Sequence, residues 1–210
     1  MATLAQLKTR IILETDRDDM GSGGEAEQTL IDAYTDAIDY YSSEQFWFNR
    51  ANGSGNTAAS TATIAMPTGV RFPRAVTYLG EPLTMVDLIE VQARTETGIP
   101  SKWAENEGAI QLWPIPGGVY AIGVYGLAST GVPAAAGDSN IWTTEAYKLI
   151  VARSKVTIFR IFKEYDALGQ AAAEELEAMS ALRKETRRRG MTNLVTDLAT
   201  GTSFNINLGY

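Results

Sequence analysis

Asp16, Asp18, Gly21 and Glu27 fall at the first, third, sixth and twelfth places of a loop with EF-hand spacing, in which hard oxygens surround calcium. The fifth place is Met20, whose thioether offers no such oxygen. The ligand set breaks there, and the segment reads as a plain acidic loop. Arg183, Lys184, Arg187, Arg188 and Arg189 put five bases within seven residues. Two readings stand side by side. One is pairing with the negative end of a helix, helped by Glu185. The other is contact with a phosphate backbone or an acidic partner surface. Carboxylates are plentiful, but no two are spaced as a general acid and base, and exposed helix faces account for most of them. Gly21-Ser22-Gly23-Gly24 and Gly53-Ser54-Gly55 both lack the Lys-Ser/Thr that completes a nucleotide cradle. Phe46, Trp47, Phe48, Trp103 and Trp113 read as core aromatics before they read as a platform for stacking bases.

The sequence has no Cys and no His. That removes disulfides, thiol nucleophiles, imidazole bases and Cys/His zinc sites. No catalytic residue, cofactor or metal ligand is therefore assigned. The 210 residues allow one domain or two small ones, and 45% apolar with 20% charged residues is ordinary for a globular chain. The net charge of −7 argues against a protein that coats nucleic acid over its whole surface. Charge is uneven, however: residues 1–44 carry 10 acids against 3 bases, and residues 140–190 carry 10 bases against 7 acids. The opening residues lack the apolar core of a signal peptide, and no run is long enough to span a bilayer. The expectation is a protein made in the cytoplasm of its host cell, with no membrane partner.

The elements that must carry these residues follow from periodicity. Thr3-Leu4-Ala5-Gln6 has capping-box spacing, and Leu4, Leu7, Ile11 and Ile12 share a stripe, predicting a first helix to about residue 14. A second helix is predicted over residues 25–43, with Leu30, Ile31, Tyr34, Ala37, Ile38 and Tyr41 on one face. Strands are expected around residues 57–66, 74–79, 109–113 and 119–125, with a short helix at 85–93 and a hairpin at Pro114-Ile115-Pro116-Gly117-Gly118. A third helix is predicted over 144–165. A fourth, capped by Asp166 and stopped by Gly190, carries the seam Leu168, Ala172, Leu176, Met179 and Leu182. Residues 191–210 hold a single charge, Asp197, and read as an extended arm. The expected fold is α+β and mainly helical. It is a four-helix core with a small antiparallel β module inserted between helices 2 and 3, and an extended C-terminal arm. Residues 1–44 and 140–190 form the helical domain, 45–139 the inserted module and 191–210 the arm.

Three stretches in this order resemble the adaptor, or head–tail connector, proteins of tailed bacteriophages. They are LAQLKTRIILETDRDD with the second helix and its exit at Phe46, Trp47 and Phe48; Gly98-Ile99-Pro100-Ser101-Lys102-Trp103 followed by Ile110-Gln111-Leu112-Trp113-Pro114-Ile115-Pro116; and the alanine-rich helical hairpin over residues 142–189. The resemblance implies a structural virion protein of the neck between capsid and tail, without a reaction. It implies a dodecameric homo-oligomeric ring below the portal protein, joined to a tail, nozzle or stopper protein, with tail fibres as a further candidate partner. The genome is expected to pass through an axial channel without sequence-specific binding. In that setting Leu194, Leu198, Phe204, Ile206, Leu208 and Tyr210 are the candidate anchors onto the portal or a neighbouring subunit. Arg183, Lys184, Arg187, Arg188 and Arg189 are candidates for contact with the portal or the DNA channel. The competing readings are another neck component, such as a stopper or tail-completion protein, and a duplex nucleic-acid-binding protein.

Overall fold

The computed structural model describes residues 2–199. In chain order it runs α1 (Leu4–Thr15), a 3-10 turn (Asp18–Gly21), α2 (Glu25–Ser42), β1 (Arg50–Asn56), β2 (Thr63–Ala65), β3 (Val70–Tyr78), β4 (Glu81–Pro82) and β5 (Thr84–Met85). It continues through α3 (Leu88–Gln92), β6 (Thr97–Gly98), β7 (Lys102–Asn106), β8 (Ala109–Trp113), β9 (Ile115–Pro116) and β10 (Ala121–Ala128) to α4 (Ile141–Glu145), α5 (Tyr147–Ile161) and α6 (Tyr165–Ala199). Contacts divide these elements into two units. One is residues 2–41, 46–48 and 132–199; the other is Ser42–Gln45 with Asn49–Gly131.

The helical unit starts where the capping box predicts. The Thr3 side chain accepts from the Gln6 amide, and the Gln6 side chain accepts from the Thr3 amide. Asp16 ends α1 in the left-handed conformation, φ 53°. The acidic loop then folds into the 3-10 turn and buries Met20 completely. The residue that spoils the calcium pattern is thus a core plug. Leu4, Leu7 and Ile11 of α1 pack with Leu30, Tyr34, Ile38 and Tyr41 of α2, with Phe46 and Trp142, and with Leu149, Ile150 and Ile158 of α5. A second cluster joins α5 to α6 through Val156, Phe159 and Ala171, flanked by Ala167, Leu168 and Ala172.

The second unit is a β-sandwich. One sheet has the order β1-β10-β3-β4 and the other β2-β8-β7-β5, while β6 and β9 form a parallel pair. All other pairings are antiparallel except β5 with β7. Ile64, Val70, Val76, Trp103, Ile110, Leu112, Ile122 and Val124 fill the space between the sheets. Gly126 sits at a register shift between β10 and β3, where Phe72 and Pro73 approach so closely that a side chain has no room.

This architecture overturns the expected four-helix core with a small module. Among the described residues there are six α-helices, and the strands build two four-stranded sheets and a third pair. The predicted third helix is two, because Ala146 leaves helical geometry (φ −107°, ψ 17°) after a short α4 capped by Asn140. The proline segment is not a hairpin turn: β8 and β10 lie in different sheets, and Ile115 and Pro116 pair in parallel with Thr97 and Gly98. Asn52-Gly53, a pair with the chemistry of a turn, lies inside β1. Gly190 does not stop α6, which runs on to Ala199, so the extended arm cannot begin at residue 191.

Candidate interaction surfaces

The five bases lie along α6, and their surroundings separate the two readings of them. The helix continues ten residues past Arg189. The field of a helix terminus fades within its last turn, so pairing with that terminus does not explain this cluster. Local chemistry does, in part. Arg188 donates from Nε and Nη2 to Glu185 at 2.8 and 2.7 Å, and Arg189 donates from Nε to the same carboxylate at 2.8 Å. Hydrogen bonds from Arg188 and Arg189 hold the Glu185 carboxyl down at about 2. The Arg189 guanidinium also lies 3.3 Å from the centre of the Trp47 ring. Thr186 accepts from the Trp47 amide at 3.3 Å and donates to the Leu182 carbonyl. Trp47, half-buried, therefore fastens this turn of α6 to the helical unit. Lys184 and Arg187 are exposed. Leu194 and Leu198 fall within the helical span of α6, while Phe204, Ile206, Leu208 and Tyr210 lie outside the described residues.

Two ion-pair clusters stand beneath α6 that periodicity did not reveal. The Lys155 side chain, only 7% exposed, donates to Glu14 of α1 at 2.7 Å and to Glu174 of α6. Burial pulls the ammonium toward its neutral form, but hydrogen bonds and charges from Glu14 and Glu174 outweigh it and raise its pKa. Burial likewise pushes Glu14 up, and Lys155 with Arg10 overcomes this and holds it low. These residues line a groove of about 790 Å³ between α1, α5 and α6. Nearby, Tyr41 donates to Glu175, which also accepts from Arg153 at 3.2 Å, and Arg153 lies over Tyr40. Burial, then the Glu175 hydrogen bond, drives the Tyr41 hydroxyl well above its ordinary pKa. The one sequence signal for the first cluster was Lys155 itself, a cation one helical turn from Val151 and from Phe159.

In the sandwich unit, Lys102 reaches Glu90 at 2.5 Å and Arg94 reaches it at 3.6 Å. Both cations lie over Trp113, whose Nε1 donates to Glu96 at 2.9 Å. Among the described residues, every fully buried side-chain nitrogen and oxygen has a hydrogen-bond partner. No helix among them is long and apolar enough to cross a membrane.

The described residues thus show helices clamped by ion pairs, an arginine turn fixed on a tryptophan and a sandwich whose buried polar side chains are satisfied. The model of the SU10 adaptor protein family matches residues 2–197, nearly the whole chain, and the chain belongs to that family. The family is one of phage adaptor proteins, structural components of the virion. No curated protein matches the sequence.

Proposed function

We propose that this chain is the head–tail adaptor of its phage. Its copies form a closed ring below the portal protein, twelvefold as the family resemblance implies, and leave an axial channel through which the genome passes. On its far side the ring meets a tail, nozzle or stopper protein. The family match over residues 2–197 carries this reading. The 35-residue α6 supports it: at 1.5 Å per residue it is about 52 Å long. Its flank also leaves Leu176 72% exposed, an apolar side chain available to a neighbour. The C-terminal anchors are Leu194, Leu198, Phe204, Ile206, Leu208 and Tyr210, on the portal or an adjacent copy. Arg183, Lys184, Arg187, Arg188 and Arg189 face the portal or the channel.

Electron microscopy of the purified protein, alone and mixed with portal, tests the proposal. A ring coaxial with the portal is expected. Absence of the protein from finished particles, or scattered monomers on the portal, refutes it. A duplex-binding role gains no support from the basic segment, since Glu185 and Trp47 already engage two of its five cations.

A further inference from the structure

The sandwich has four outer strands, and three of them are blunted. β4 and β5 are two residues long, β4 contains Pro82, and β2 is three residues long. Short strands and proline are the usual means by which a sheet edge avoids pairing with another chain. β1 is different. It is seven residues long, RANGSGN, with no proline and one charge, Arg50. The Asn49 carbonyl accepts from Ala128, and the Thr57 amide donates to the Tyr120 carbonyl. Through the unbroken register between those two bonds, the odd-numbered residues of β1 turn their backbone groups toward β10. Arg50, Asn52, Ser54 and Asn56 therefore turn theirs outward, and among the described residues no strand pairs with that edge.

The inner face of β1 is equally distinctive. Ala51, Gly53 and Gly55 give it almost no side chain, because Pro67 and Ile64 press against the two glycines. An added strand with large apolar residues on this face and polar ones on the other would extend the sandwich core past β1. The chain supplies one such sequence: Phe204-Asn205-Ile206-Asn207-Leu208-Gly209-Tyr210 alternates strictly over seven residues, the length of β1, and carries no charged side chain. We infer that residues 204–210 of one copy add as a strand to the outer edge of β1 in the next copy. The inference rests on the ring reading and names its subunit contact. Edge and strand are different surfaces, so the contact is head-to-tail, the kind that closes into a ring when its rotation permits.

The absence of native cysteine makes the test clean. Particles are assembled from chains that carry one Cys at Asn52, Ser54 or Asn56 and one at Asn205 or Asn207, all on the polar face. Oxidation of at least one pair is expected to give a non-reducing ladder of dimers, trimers and higher species. Cross-links confined to single chains, or no ladder from any pair, overturn the inference. In parallel, Ser54→Pro removes one outward donor and leaves the β10 ladder intact. It is expected to weaken each contact about tenfold, and so to reduce head joining as deletion of residues 200–210 does, with the thermal midpoint of the free chain unchanged. Normal joining by Ser54→Pro where the deletion fails would move the segment to another host. That result ends the inference and leaves the ring, which is read independently by imaging.

Discussion

Replacing Lys155 by Met tests whether the buried charge cluster holds α1, α5 and α6 together. Removing one partner of a fully buried pair costs about 3–5 kcal/mol, because the surviving charge loses its counterion without regaining water. Here the surviving carboxylates are partly wet, with side chains 24% exposed at Glu14 and 40% at Glu174, and Arg10 remains beside Glu14. Screening lowers the expected loss to about 2 kcal/mol. For a chain of this length that is about 4–8 °C in thermal midpoint. Adding Glu174→Gln to Lys155→Met should restore about 1 kcal/mol, since it removes one of two unneutralised carboxylates. The assay is denaturant unfolding followed by far-ultraviolet circular dichroism, which the helices dominate.

The pH dependence fixes the sign. The lowered pKa of Glu14 means that its contribution is complete above the ordinary carboxylate value of about 4.3 and is lost as pH falls through the folded value. The raised pKa of Lys155 means that its contribution is complete below the ordinary lysine value of about 10.4 and is lost as pH rises through the folded value. The gap between wild type and Lys155→Met should therefore be flat from about pH 5 to 10 and close at both ends. A gap under about 0.5 kcal/mol at neutral pH, the scatter of ordinary surface changes, would refute the reasoning, as would one unchanged in strong acid.

Three further outcomes are expected. Gly126→Ala puts a Cβ 2.2 Å from the Phe72 carbonyl oxygen, which backbone cannot yield, and should cost about 3 kcal/mol or prevent folding; Gly123→Ala meets the rotatable Thr77 hydroxyl at 2.6 Å and should cost under about 1.5 kcal/mol in the same denaturant series. The Glu185 carboxyl should titrate near pH 2 by NMR and return toward about 4.3 when Arg188 and Arg189 are both replaced by Gln. Arg187, Arg188 and Arg189 all replaced by Gln should impair assembly or genome retention in particles; particles of normal yield and DNA content would show that the basic turn faces neither portal nor channel.

The first two helices, β8 and the capping box at Thr3 were legible in the sequence because each follows from neighbours within a few residues. Hydrophobic side chains recur with the period of the element, and a cap needs only the next three positions. The basic turn was also visible as composition, but not its fastening, since Trp47 and Arg189 are remote in sequence.

Residues 50–56 show why the rest was hidden. Asn52-Gly53 has the chemistry of a turn, and Arg-Ala-Asn-Gly-Ser-Gly-Asn has no apolar alternation to mark a strand. Pairing with β10 along all seven residues makes it one, and the close approach of Pro67 and Ile64 explains its glycines. Lys155 likewise is one of four cations along α5 with nothing local to set it apart, until α1 and α6 bring Glu14 and Glu174 to it. Local periodicity determined where much of the chain coils and which faces are apolar. Strand pairing, the division of β8 and β10 between two sheets and the partners of buried charge were decided only when distant segments met, because their energies belong to contacts that no short window of sequence contains.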